Sequence, residues 1–526
     1  MNRRTFLSAT AGALAATQPA CQSASHDFEL EEVSLASLSA GLQQGKWTSA
    51  QLTDFYLSRV DTVDRNGPRL NAVIELNPDA AALARQLDQE RKDGHVRGPL
   101  HGIPILIKDN IETGDAMKTT AGSLALVGWR ASHDAFVAAR LRSAGALILG
   151  KTNLSEWANF RSTHSISGWS GRGGQTRNPY ALDHNPSGSS SGSGAATSAC
   201  LCAAAVGSET DGSVTSPASI NGIVGIKPTI GLVSRSGIIP ISASQDTAGP
   251  MARTVRDVAI LLSAMTGVDP EDSVTAASQG KSSPDYTKFL DPNGLRGARI
   301  GIARKFFENN APMDRFLTGC VDALKKAGAM VIDPADLPSH GQFDAAENDV
   351  LQYEFKDGLN RYLTRLPAGS PARSLKELIA YNQQQRDREM PFFDQEIFIQ
   401  CEARGPVTEP KYLKARADCV RLSRAEGIDA VIAQHKLDAI VTLTSGPAWY
   451  TDFINGDRDT GGCTTPAAVA GYPHISVPAG FYRGLPIGLS FFASAWSEPT
   501  LIKLAYAWEQ QMNARKKPTY PARAAI

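Results

Sequence analysis

The sequence predicts an α/β fold, with a mixed, twisted β-sheet covered by helices on both faces and a helix-rich cap region. Helix-like segments alternate with short apolar runs typical of buried strands along most of the chain. The composition supports a large folded core, since 42% of the 526 residues are hydrophobic and 20% are charged. A stretch from about residue 168 to 249 is rich in Gly, Ser and Thr and poor in charge, so we expect it to bring backbone close to a site.

Two helix starts are marked by capping residues. Thr48 is followed three residues later by Gln51, and Thr254 by Asp257, and an apolar stripe follows each pair. Buried strands are predicted for the short apolar runs, which are residues 103–107, residues 147–149, a run from residue 298, and three runs after residue 437 within VTLTSGPAWY, HISVPAG and PIGLSFFAS.

The N-terminal segment is predicted to be a removable export signal. We expect residues 1–25 to form this signal and residues 26–526 to form one large domain, with its core at about 100–260 and the cap at about 312–427. Arg3 and Arg4 precede a small-residue apolar run and resemble a twin-arginine signal, which predicts a periplasmic location. An ordinary secretory signal is the alternative.

Cys21 leaves lipoprotein anchoring open, because it follows Ala20 as at a lipidation site, although Gln18 and Pro19 do not fit that signal. The other cysteines are sparse and form no CxxC pair, so most are predicted to be buried thiols rather than disulfides or metal ligands. They are Cys200, Cys202, Cys320, Cys401, Cys419 and Cys463.

The charge balance excludes two classes of partner. Lys plus Arg and Asp plus Glu both number 53, so no positive field is available to hold nucleic acid or an acidic membrane. The mean hydropathy of −0.21 predicts no stable membrane insertion of the mature chain. The sequence leaves the oligomeric state open.

Two serine-rich loops and one lysine have the residue types for acyl transfer. The loops are 187–194 and 207–213, and the small-residue run 195–206 between them is predicted to be a tightly packed helix with one loop at each end. A serine hydroxyl becomes nucleophilic when a base takes its proton. Lys108, at the end of an apolar strand, would be such a base if burial keeps its amine neutral.

These segments resemble the amidase signature family of serine hydrolases. The matching motifs are IKDN around Lys108, GSSSGSG, ETDGS and DTAGPMARTVRD. The resemblance implies that Ser213 is the nucleophile, that Ser189 lies in a cis peptide linkage and relays the proton, and that Lys108 is the general base and later the general acid.

The resemblance also implies an oxyanion hole and the absence of a cofactor. The backbone N–H groups of Thr210, Asp211, Gly212 and Ser213 would stabilise the oxyanion. Ser190 would support this network by hydrogen bonding.

Longer segments resemble the members of this family that remove the C-terminal carboxamide from peptides and release ammonia. They include GPRLNAVIELNPDA, GPLHGIPILIKDN, GKTNLSEWANFRS and AVAGYP. The implied substrate is a small peptide amide, with amino acid amides also open. Residues 211–215 read DGSVT where many members have GGSIR, so an arginine after the nucleophile is missing. This difference weakens the inference that the chain shares the function of tRNA-dependent amidotransferase subunits.

Two alternatives remain open at this level. Residues 188–192 also fit GxSxG, the nucleophile elbow of α/β-hydrolase esterases, with Ser190 as nucleophile and His435 or His474 as base, although polar residues rather than an apolar strand precede it. The second alternative is an exported peptide-binding protein without turnover. Trp169 and Trp449 are candidates for lining the cleft or for core positions.

Overall fold

A single eleven-stranded mixed sheet organises the chain. The structure, a computed structural model, describes residues 28–525, so the predicted export signal with Arg3, Arg4 and Cys21 lies outside the described residues. The strands are β1 (Val73–Leu76), β2 (Pro104–Lys108), β3 (Leu147–Thr152), β4 (Trp169–Ser170), β5 (Gly174–Gln175), β6 (Ala205–Glu209), β7 (Val224–Lys227), β8 (Thr247–Ala252), β9 (Arg299–Ile302), β10 (Met330–Ile332), β11 (Ala439–Leu443), β12 (His474–Tyr482) and β13 (Leu485–Phe492).

Helices flank this sheet, as the sequence predicts. The α-helices are α1 (Leu35–Gln43), α2 (Ser49–Arg59), α3 (Ala80–Lys92), α4 (Phe136–Ser143), α5 (Ser191–Ser198), α6 (Thr215–Ile220), α7 (Val255–Met265), α8 (Ala311–Lys326), α9 (Asp344–Thr364), α10 (Leu375–Gln384), α11 (Arg386–Glu389), α12 (Glu396–Glu402), α13 (Pro410–Val420), α14 (Asp429–His435), α15 (Thr465–Ala470) and α16 (Glu498–Met512). Both predicted caps are present, because Thr48 accepts from Gln51 N and Thr254 from Asp257 N, each at 3.1 Å. No helix within residues 28–525 is both long and apolar enough to cross a bilayer.

The strand order places the two candidate segments side by side. It runs β1-β3-β2-β6-β8-β7-β12-β13-β11-β9-β10, and a separate hairpin joins β4 to β5. β2 is parallel to both β3 and β6, with Leu106 opposite Ala205 and Ile107 opposite Val206. Since the carboxyl ends of parallel strands meet at one edge, Lys108 at the end of β2 and Glu209 at the end of β6 lie at the same edge of the sheet.

The small-residue run 195–206 departs from its prediction. The helix α5 starts earlier and ends at Ser198, and Cys200 then has a φ of 57°, outside the helical region. From Ala205 the chain becomes β6, every residue of which is buried between β2 and β8. Small side chains suit a strand enclosed on both faces as well as a helix, so composition alone did not separate the two.

The region predicted as the cap, 312–427, contains most of α8, the strand β10 and the helices α9 to α13. Of these, β10 joins the main sheet, where it runs parallel to β9. The remaining helices, α9 to α13, pack against one another through contacts of α9 with α12 and α13. The six cysteines within residues 28–525 are buried and free, as predicted for most of them.

Candidate active site

Lys108 ends the buried strand β2, and its amine contacts two serines. The Nζ lies 2.7 Å from Ser189 Oγ, 3.0 Å from Ser208 Oγ and 3.1 Å from the Ser208 carbonyl oxygen. A neutral amine carries two N–H bonds and one lone pair. With the two N–H groups donated to the oxygens of Ser208, the lone pair is directed at the hydroxyl of Ser189.

Burial makes the neutral form of this lysine accessible. Desolvation lowers the pKa of Lys108 to about 7, while the carboxylates of Asp246 and Glu209 act in the opposite direction and raise it. A substantial fraction of the amine is therefore neutral near pH 7, which is the state a general base requires.

The first serine-rich loop carries Ser189 to this amine. The peptide bond between Gly188 and Ser189 is cis, the geometry that the family resemblance implies. The Ser189 carbonyl accepts a hydrogen bond of 3.1 Å from Ser155 N. Position 188 has no room for a side chain, because a Cβ there would lie 2.2 Å from Ser155 Oγ.

Ser190 joins the two loops. Its N–H donates to the Ser213 carbonyl at 3.1 Å, and its hydroxyl donates to the Ser208 carbonyl at 3.1 Å and accepts from Ser208 N at 3.2 Å. Ser213 is 8% exposed whereas Ser189 is fully buried, so Ser213 is the more accessible of the two hydroxyls. Among the hydrogen bonds of the described residues, none connects Ser213 Oγ to Ser189 Oγ, and this link of the predicted relay is open in the structure.

Glu209 folds the second loop back onto the start of α6. Its Oε2 accepts from Val214 N at 2.7 Å and from Thr215 N at 2.9 Å. Burial raises the pKa of Glu209, and the charge of Lys227 opposes that shift. The carboxylate of Glu209 therefore accepts from the N–H groups of Val214 and Thr215, which follow Ser213. The N–H groups of residues 210–213 are left for another acceptor.

The four predicted oxyanion-hole groups lie in this turn. Within residues 28–525, no acceptor is found for the backbone N–H groups of Thr210, Asp211, Gly212 or Ser213. Gly212 has a φ of 76°, and a Cβ there would lie 2.9 Å from Thr464 Oγ1. The turn thus presents unpaired donors of the kind that stabilise a tetrahedral oxyanion.

Two cavities flank the serines. The first cavity, of about 200 Å³, is lined by Ser189, Thr210, Asp246 and the segment 238–243. The second cavity has a volume of about 300 Å³. Its lining includes Gly188, Asp211, Gly212, Trp449 and Asp457.

The two tryptophans predicted for the cleft have different surroundings. Trp449 lines the second cavity, and its Nε1 donates to Asp457 at 3.0 Å. Trp169 is 5% exposed and packs edge-on against Phe392 and Phe393, so it belongs to an aromatic cluster instead.

The two histidines named for the esterase alternative have other surroundings. His474 is fully buried with Nε2 2.5 Å from Ser490 Oγ, and burial, with help from the charge of Lys227, lowers its pKa to about 3. His435 ends α14, where its carbonyl accepts from Arg299. Neither imidazole hydrogen-bonds to Ser190 within the part of the chain described.

Several residues around the lysine carried no predicted role. Asn110 Nδ2 donates to Ser208 Oγ at 2.9 Å and so helps to fix the acceptor of the amine. The buried carboxylate of Asp109 accepts from Thr120 Oγ1 and from Arg172 Nη1, and these partners hold the residue that follows Lys108 in the chain. The sequence signal for Asn110 was its place beside Lys108 in IKDN, but its partner became visible only with the sheet order.

A family model matches most of the chain. Residues 51–502 match the family model described as Amidase. The chain belongs to the amidase signature family, and the protein is an amide-hydrolysing enzyme.

The chain is also similar to particular amidases. Over 507 residues the chain is 42% identical to a probable amidase of Arabidopsis thaliana, an alignment that covers 95% of this chain and 93% of the relative. The solved peptide amidase from Stenotrophomonas maltophilia is 52% identical, with a TM-score of 0.90 and coverage of 94% of this chain and 99% of that one. An amidase family protein from Bacillus anthracis is 37% identical, with a TM-score of 0.85 and 93% of each chain covered.

Proposed function

We propose that the protein hydrolyses the C-terminal carboxamide of peptides, and of amino acid amides, to the free acid and ammonia. The observation that carries the proposal is the contact of 2.7 Å between Lys108 Nζ and Ser189 Oγ, at an amine whose pKa burial lowers to about 7. The similarity to a peptide amidase along most of both chains supports the substrate class.

In the acylation step, Ser213 Oγ attacks the carboxamide carbon. Its proton passes to Ser189 Oγ while the proton of Ser189 passes to the lone pair of Lys108. Rotation of the Ser213 side chain closes the open link when substrate binds, since catalytic hydrogen bonds often tighten only in the complex. The carbonyl oxygen becomes an oxyanion held by the N–H groups from Thr210 to Ser213.

Collapse of this intermediate breaks the carbon–nitrogen bond. Lys108 returns its proton through Ser189 to the leaving nitrogen, so ammonia departs and an acyl ester remains on Ser213. Water then attacks the ester with the same two residues in the same roles, and the peptide acid leaves. All these steps use side chains and backbone groups of this chain and call for no cofactor.

The location is a separate proposal that rests on the N-terminal sequence. The Arg3–Arg4 signal supports export to the periplasm, with Cys21 as a lipid anchor if the chain is cut before it. Fractionation of cells that carry the full chain or an Arg3→Lys/Arg4→Lys variant tests it. Loss of export only in the variant supports a twin-arginine route, and equal export of both contradicts it.

A panel of peptide amides and amino acid amides, followed by ammonia release, and of matched methyl esters, followed by release of the free acid, tests the reaction. We expect release from the amides by the unaltered enzyme and a loss of at least about a thousandfold in Ser213→Ala and in Lys108→Ala. A fluorophosphonate reagent should label Ser213. Labelling of Ser190, or full activity in Ser213→Ala, would contradict the mechanism, whereas turnover of the esters alone would contradict the substrate class.

A further inference from the structure

Asp246 links residues 210–213, here called the oxyanion turn, to the wall of the first cavity. Its Oδ1 accepts from Thr210 Oγ1 at 2.6 Å, and its Oδ2 accepts from Ile241 N and from Ser242 N, each at 2.8 Å. One carboxylate therefore holds two segments that are separate in sequence, the turn that presents the N–H donors and the segment 238–243.

The same carboxylate lies beside the base. Ser189 and Ser208, the two serines bonded to Lys108 Nζ, line the first cavity together with Asp246. A negative charge there favours the protonated amine, and Asp246 is the largest of the contributions that raise the pKa of Lys108 against desolvation.

The other charged groups near this pair belong to different elements. They are Glu209 at the end of β6, Arg235 with its ion-pair partner Asp272 and the neighbouring Glu271 in the wall of the first cavity, and, through the hydroxyl of Ser242, Glu354 of α9. Burial raises the pKa of Asp246 itself to about 6, so the carboxylate is ionised at the neutral pH where Lys108 titrates.

We propose that Asp246 is a positioning residue for the amidase reaction, which holds Thr210 and the oxyanion turn in place and sets the protonation of Lys108 through its charge. The inference rests on the proposed function, because it assigns Lys108 as base. It adds a link between the strength of the base and the shape of the oxyanion hole, since one side chain controls both.

Two substitutions at this position separate charge from geometry. Asp246→Asn keeps the size and removes the charge, so we expect kcat to fall and the acid limb of kcat/KM to move to lower pH by at least about half a unit. Asp246→Glu keeps the charge but displaces the carboxylate, so we expect kcat to fall while the limb stays in place. Thr210→Val, which leaves Asp246 charged, should behave like Asp246→Glu.

The limb is measured as kcat/KM and, in parallel, as the rate constant of fluorophosphonate inactivation at each pH. The inactivation rate constant reports only folded, reactive sites, so partial unfolding does not move it. A limb at the same pH in Asp246→Asn and in the unaltered enzyme would overturn the assignment of charge. Unchanged kcat in both Asp246→Glu and Thr210→Val would overturn the assignment of position. Failure of the proposed function is distinct, because it would appear as full activity in Ser213→Ala.

Discussion

The pH dependence of kcat/KM follows from the buried lysine. Since burial lowers the pKa of Lys108 to about 7, the proposed base is mostly neutral above that pH and protonated below it. A single essential proton lowers kcat/KM tenfold per pH unit, so we expect activity at pH 6 to be about tenfold below the plateau. Protonation of Asp246, whose pKa is about 6, should make the limb shallower below that pH. An unperturbed lysine, with a pKa of about 10.4, would place the same limb more than three units higher.

The assay follows the free peptide acid by chromatography at fixed times between pH 5 and 9, at substrate concentrations well below KM. Circular dichroism at each pH shows that the fold persists. Lys151 offers a matched control, because it is also fully buried, with a pKa lowered by burial to about 8, yet it bonds to Ile111 and Thr119 rather than to the serines. We expect Lys151→Met to keep the limb near pH 7 and Lys108→Met to abolish turnover. A limb near pH 4, or one that moves with Lys151, would refute the assignment of the base.

Three further substitutions test the loops and one helix. Gly212→Ala puts a side chain at a φ of 76° and a Cβ 2.9 Å from Thr464 Oγ1, so kinetics should show kcat at least about tenfold lower and urea unfolding a stability lower by about 1–3 kcal/mol. An unchanged kcat would contradict the role of residues 210–213 as the oxyanion hole. Ser190→Ala removes both hydroxyl contacts to Ser208, so kcat should fall about 10- to 100-fold while KM stays within about twofold. Full activity in this variant would contradict the proposal that Ser190 supports the catalytic network. Thr48→Ala removes the capping hydrogen bond of α2, so the free energy of unfolding should drop by about 1 kcal/mol with kcat unchanged. A changed kcat would show that α2 contributes to the active site.

The sequence predicted those features that depend on local pattern. The caps at Thr48 and Thr254 and the buried strand ending at Lys108 follow from side-chain chemistry within a few residues. The motif resemblance also identified Ser189 and Lys108, whose side chains are in contact.

The contacts of Ser208 and Asp246 were not predictable in the same way. They depend on β6 lying between β2 and β8, an order that no local periodicity encodes. The run 195–206 was misread for a related reason, because enclosure between neighbouring strands, and not its own composition, makes residues 205–209 a strand.

The free, buried thiols have a practical consequence for following the molecule as it opens. Since the cysteines within residues 28–525 need no oxidation to reach their observed state, this part of the chain does not require an oxidising compartment in order to fold. A thiol-modifying reagent reaches such sulfurs mainly when the surrounding packing opens. Cys202 lies shortly before β6 in the sequence, and Cys401 lies within α12. The modification rates of these two thiols would therefore report separately on the opening of the sheet and of the helical region, without an added label.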